Sequence, residues 1–180
     1  MAIKTFTTGE VLTAADTNTY LANSGLVFVK QQTVGTTVAS VSVADAFSAT
    51  YENYKITYTN GASSAATVLD VSLTGSTNGH YAVMLYNGYG GGGSVVTSNN
   101  RANWTHAGGG VASNPNLNIE LQMPFLAKPT FLVGNYADGS NTGMITGYQS
   151  QTTSFTGFTI APAAGTLTGG TITVYGYRKG

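Results

Sequence analysis

The chain predicts an all-β fold, an antiparallel β-sandwich of jelly-roll-like kind led by a short N-terminal arm with one helix, and three observations carry that expectation. Apolar and polar residues alternate strictly in Tyr54-Lys55-Ile56-Thr57-Tyr58-Thr59, Leu69-Asp70-Val71-Ser72-Leu73-Thr74 and Leu117-Asn118-Ile119-Glu120-Leu121-Gln122. A half-buried strand requires that period of two, because successive side chains leave opposite faces of a sheet. Turn pairs at Asn60-Gly61, Asn78-Gly79, Asn87-Gly88, Asp138-Gly139 and Gly169-Gly170 separate the strands, at the spacing of about 8 to 12 residues typical of sandwiches and barrels. Finally, no helical pattern of about 10 to 15 residues alternates with the strands, which argues against a parallel α/β sheet.

The elements follow in order. Residues 1–25 form the arm. Thr13 suits a helix N-cap, and Asp16, three residues on, suits the free amides and positive end of that helix. The helix is expected to run through Leu21 or Ala22 and to stop at Asn23-Ser24-Gly25. Isolated helices below about 12 to 15 residues are marginal in water, so this arm must dock, and Phe6, Val11, Leu12, Ala15, Tyr20 and Leu21 are its candidate docking residues.

Residues 26–180 form the sandwich. Strands are expected near Leu26 to Gln32, Val38 to Val43, Tyr54 to Thr59, Val68 to Thr74, Tyr81 to Asn87, Asn103 to His106, Leu117 to Met123, Thr130 to Tyr136, Met144 to Gln149, Phe155 to Ala161 and Thr171 to Arg178. A short helical turn is expected over Asp45 to Tyr51. Two glycine-rich stretches, Gly88 to Ser94 and Gly108 to Pro115, read as long loops and therefore as a candidate recognition rim.

Composition narrows the function. Seven Lys plus Arg balance seven Asp plus Glu in 180 residues, and the cations are scattered, which disfavours nucleic acid as a partner. Cysteine is absent, so disulfides and thiolate metal sites are excluded. No leader-like apolar run opens the chain and no segment approaches the ~20 apolar residues of a membrane span, so synthesis in the cytosol without membrane insertion is expected. With 42% hydrophobic residues, eleven Tyr and zero net charge, a free monomer would tend to associate.

Catalytic chemistry finds little material. His80 and His106 sit in different segments without metal-type spacing. Asp45, Glu52, Asp70, Glu120 and Asp138 are the acids available for glycoside hydrolysis, but Asp70 and Glu120 lie on polar faces of alternating strands and read as solvated sheet charges. The glycine run at Gly90 to Gly93 lacks the following helix of a phosphate cradle and reads as a hairpin tip. Asp138-Gly139-Ser140-Asn141 lacks the pattern of a calcium loop and reads as a tight turn. The expectation is no enzyme, no metal and no cofactor. Tyr86, Tyr89 and Trp104 flank the glycine-rich stretches and are the candidate receptor- or partner-binding residues, the alternative being core or interface aromatics.

Phe6-Thr7-Thr8-Gly9-Glu10-Val11-Leu12-Thr13-Ala14-Ala15-Asp16-Thr17-Asn18-Thr19-Tyr20-Leu21 resembles the N-terminal segment of tail-fibre and minor tail proteins of tailed bacteriophages, and the closing stretch from Gly165 to Tyr177 is similar to the last strands of their sandwich modules. The resemblance implies a virion protein, homotrimeric, whose arm docks on other virion proteins or joins the chains, and whose loops reach a host-surface glycan or protein. The missing extended shaft keeps a capsid decoration or cement protein open beside the tail fibre, and a carbohydrate-binding or glycan-cleaving module is the third reading.

Overall fold

A computed structural model describes residues 6–17 and 25–178 of the chain, and they form an antiparallel sandwich preceded by the arm. In the arm, α1 (Ala14–Asp16) begins with the capping box that the sequence predicts. Thr13 Oγ1 accepts the Asp16 amide, and Asp16 Oδ2 accepts the Thr13 amide, both at 3.1 Å. The continuation of the expected helix, with Tyr20 and Leu21, lies outside the described residues.

The strands are β1 (Leu26–Thr33), β2 (Val41–Val43), β3 (Asn53–Thr59), β4 (Ala62–Ser63), β5 (Leu69–Leu73), β6 (His80–Gly88) and β7 (Gly93–Arg101), then β8 (Trp104–Val111), β9 (Asn114–Gln122), β10 (Thr130–Ala137), β11 (Asn141–Gln149), β12 (Phe158–Pro162), β13 (Leu167–Thr168) and β14 (Thr171–Tyr177). One sheet runs in the order β1-β14-β3-β9-β10-β11-β6-β7, and a smaller one in the order β2-β12-β5-β8. The β8–β9 hairpin links them, because the far end of β8 pairs with Asn114 to Asn116 while the rest of β9 lies between β3 and β10. β4 and β13 form a small two-stranded sheet.

The alternation read in the sequence decides which residues enter the core. Tyr54, Ile56 and Tyr58 of β3, Leu69, Val71 and Leu73 of β5, and Leu117, Ile119 and Leu121 of β9 are all buried, in one cluster with Trp104, Phe158, Ile172 and Val174. Each such side chain contributes about 1.5 to 3 kcal/mol by leaving water. On β14 the aliphatic face points inward, and Tyr175 and Tyr177 stand on the outer face.

Several expectations are corrected. Gly108 to Gly110 belong to β8 and are buried, so the stretch from Gly108 to Pro115 is a hairpin and not a loop. The glycines are there for close approach: a Cβ on Gly109 would overlap the ring of Tyr136. Asp45 to Tyr51 is not helical. Asp45 has a φ of 51°, which a helix cannot continue through, and the Tyr54 hydroxyl takes up the backbone of Ser48, accepting its amide at 2.8 Å and donating to its carbonyl at 2.9 Å. The second strand is shorter than expected, since Val38 makes only an isolated bridge to Leu167 and Thr37 has a φ of 56°. The Gly88 to Ser94 stretch shrinks to the four-residue tip of a long β6–β7 hairpin, where Gly91 and Gly92 have φ of 96° and 90°, a conformation that favours glycine.

Candidate interaction surface

Of the candidate docking residues, Phe6, Val11, Leu12 and Ala15 are exposed, Val11 to 77%. Local bonds shape the arm around them: the Thr7 amide donates to Glu10 Oε2 at 3.1 Å, just ahead of the capping box. The arm therefore presents large apolar side chains on a short ordered backbone. Such side chains gain by burial against a partner.

The three aromatic candidates do not come together. Trp104 is fully buried, its Nε1 donating to the Tyr148 carbonyl at 3.3 Å and its ring meeting His80 edge-on at 4.7 Å. It is a core residue, which corrects the expectation that it faces a receptor. Tyr86 is half-buried and packs against the core from the inner face of β6. Tyr89 alone is exposed, at the β6–β7 tip, where its amide donates to the Ser140 carbonyl at 2.9 Å and ties the tip to the β10–β11 turn.

A larger feature lies on the outer face of the eight-membered sheet. Register sets Leu85 between Val95 and Met144, Val83 between Thr97 and Thr146, and Tyr148 between Tyr81 and Phe131. Val133 is beside Thr146. Leu85 and Val95 are each 59% exposed and Met144 is 55% exposed. A groove of about 630 Å³ runs among Tyr81, Val83, Thr97, Phe131 and Tyr148. The tyrosines Tyr81 and Tyr148 are stacked, centroids 5.0 Å apart at 11°. Sequence reading missed this face, although Tyr81 to Tyr86 and Phe131-Leu132-Val133 carry its signal: unbroken apolar runs mean strands apolar on both sides.

The titratable groups hold structure. His80 is fully buried; its Nδ1 bonds the Arg101 carbonyl at 3.1 Å, so Nε2 is the acceptor for the Leu73 amide. Burial lowers its pKa from 6.5 despite the Arg101 bond, which favours the proton. His106 is lowered as well, by burial, against the pull of Asp70. Asp70 and Glu120 lie on opposite outer faces of the sandwich, so they form no catalytic pair. Asp70 accepts the His106 amide, and Glu120 pairs with Lys55 at 3.8 Å and accepts the Tyr177 hydroxyl at 2.5 Å. That bond, followed by burial and the carboxylate charge, pushes Tyr177 up to about 12.

Asp138 organises the β10–β11 turn. Its Oδ1 accepts the Ser140 and Asn141 amides at 2.7 Å each, and its Oδ2 accepts the Tyr136 hydroxyl at 2.6 Å. Burial would raise its carboxyl, but these bonds outweigh it and hold the pKa below its ordinary value. The tight turn read from the sequence is thus an aspartate-capped one. Beside it a polar hollow of about 510 Å³ is lined by Thr67, Val111, Tyr136, Asp138 and Asn141. Among the described residues no group of three His, Cys, Asp or Glu gathers as a metal site, and no helix is long and apolar enough to cross a membrane.

The fold and this surface define a class: an antiparallel β-sandwich that carries an exposed apolar arm and an apolar sheet face. Set against models of known protein families, curated proteins and solved structures, the chain matches none of them.

Proposed function

We propose that the chain is a structural protein of a tailed-bacteriophage virion, of the tail-fibre or receptor-binding type, and that it works by contact, with no catalytic step. The observation that carries this reading is the arm. Phe6, Val11 and Leu12 are exposed just ahead of the Thr13–Asp16 capping box, within the segment that resembles phage tail proteins. In this reading the arm inserts its apolar side chains into other virion proteins or joins the chains of a homotrimer. The sandwich then faces outward, and the Tyr89 tip is its point of contact with a host-surface glycan or protein.

Cryo-electron microscopy of particles, with and without residues 1–17 of the chain, tests the proposal. The expected result is density on the tail for the full chain and its loss from particles when the arm is removed, with the sandwich still folding. Purified particles that lack the chain altogether would overturn it.

The broad apolar sheet face favours a second reading, a capsid decoration protein whose face lies against shell subunits. Copy number separates the two: tens per particle fit a fibre, and hundreds fit a shell coat. A carbohydrate-binding or glycan-cleaving module is the remaining alternative, and turnover of a glycan by the purified chain is the result it requires.

A further inference from the structure

We infer that the outer face of β10, β11, β6 and β7 is covered by a further copy of this chain. This goes beyond the virion reading and does not rest on it, since it concerns what the chain does to itself in solution.

Area comes first. Val83, Leu85, Val95, Phe131, Met144 and Tyr148 are between 39% and 59% exposed on adjoining strands, which leaves roughly 500 to 600 Å² of mainly apolar surface, interrupted at Thr97 and Thr146. That is at the upper end of what monomers show, about 300 to 600 Å². With Thr97 and Thr146, which flank Val83 within it, and Asn99 and Asn135 beside it, the face approaches the ~800 Å² per partner of a standard stable interface.

Charge narrows the occupant to an uncharged surface, which a second copy of this face supplies. The face itself carries no charged side chain, and the Lys55–Glu120 pair at its border, 3.8 Å apart, is internally neutralised. The chain as a whole has zero formal net charge. A second copy laid on the face therefore meets no like charge and strands none in a dry interface. Nucleic acid or an acidic lipid surface would find no cation there. A sugar ring would find the facing sides of Tyr81 and Tyr148 occupied by each other, since the two are stacked at 11°.

The margin of the face points the same way. β7 ends the sheet, and along the stretch beside this face, Gly93 to Ser98, it carries neither a charge, a proline nor a bulge, its bulge and its one charge, Arg101, both lying at the far end. Those are the features with which edge strands are ordinarily kept from meeting another chain.

Light scattering on the purified full chain over a range of concentrations tests the inference. The expected result is an assembly larger than one chain, weakened about tenfold or more by Leu85→Glu and by Met144→Glu, because each would bury an unpaired carboxylate. Both positions are exposed, so far-UV circular dichroism should stay unchanged. Val111→Glu, away from the face, should leave the assembly as it is. As a second measurement, peroxide oxidation of Met144 followed by mass spectrometry should speed up severalfold on dilution. A chain that stays monomeric to about 100 µM, an assembly indifferent to both glutamates, or Met144 oxidation independent of concentration would each overturn it. Because these readings use no particles, they can succeed where the virion reading fails, and the reverse.

Discussion

Asp70 of β5 holds His106 of β8 across a bulge: its Oδ1 accepts the His106 amide at 3.2 Å, while its Oδ2 accepts Asn103 Nδ2 at 3.2 Å. At this point Leu69 and Val71 face Gly108 and Trp104, so β8 carries extra residues against its partner. His106 takes a φ of 60° there. A bulge bends its strand, and this one leads β8 out of the small sheet and into its hairpin with β9. Asp70→Ala should therefore lower stability by about 1 to 2 kcal/mol, and Asp70→Asn by less, because one acceptor oxygen remains. Urea denaturation checks both. An unchanged midpoint for Asp70→Ala would show that neighbouring contacts alone hold the bulge.

Gly109 lies against the ring of Tyr136, and an added Cβ would overlap it. Tyr136 is buried, with its hydroxyl engaged by Asp138, so the ring has little room to withdraw. Gly109→Ala should cost about 1 to 3 kcal/mol through overpacking. Combining it with Tyr136→Leu should cost less than the sum of the two single changes, because the shared clash is gone. Thermal melts of the four proteins in this cycle give the coupling directly, and strict additivity would show that the two residues do not crowd each other.

What the sequence made legible follows from where local chemistry suffices. The alternating segments around Tyr54, Leu69 and Leu117 became strands with their apolar residues inward, because nothing else satisfies a period of two. Thr13 and Asp16 formed their capping box because both partners lie within one turn. Gly108 to Gly110 misled because glycine marks loops and close approaches equally, and only the position of Tyr136 tells them apart. Trp104 beside a glycine run looked like a rim residue, but its side of β8 is set by its pairing with inward-facing Val71, a partner distant in the chain. The apolar outer face was readable from Tyr81 to Tyr86, where alternation fails. β4 and β13, two residues each, are too short for any periodicity.

Acid should weaken the fold through its histidines. Buried His80 has a lowered pKa, and protonating it would put a proton on Nε2, the atom that accepts the Leu73 amide. A group with a depressed folded pKa binds fewer protons than the unfolded chain does. Its stabilising contribution is therefore complete above the unfolded value of 6.5 and is lost as pH falls through the lower folded value. His106 acts in the same direction. The urea midpoint should drop between about pH 7.5 and 5, and His80→Gln should flatten that slope without abolishing it. Asp138, also depressed, should add a further loss at lower pH, below the ordinary carboxylate value. A midpoint constant across the histidine range would mean that both imidazoles titrate alike in the folded and unfolded chain.

Trp104 and Tyr89 separate stability from contact. Trp104 is the only tryptophan and is fully buried between the sheets, so Trp104→Ala should cost about 3 to 5 kcal/mol. Its fluorescence in the native protein should be blue-shifted and should move to the red in one cooperative step with the loss of circular dichroism. Tyr89 stands exposed at the β6–β7 tip with a single long contact from its hydroxyl, 3.4 Å to the Asp138 carbonyl. Tyr89→Ala should change stability by no more than about 0.5 kcal/mol. If the tip meets a host surface, that same variant should bind host cells more weakly by surface adsorption assay while its melting curve overlays the parent's. Equal adsorption by variant and parent would remove the tip from the contact and leave the arm and the sheet face as the surfaces through which the chain works.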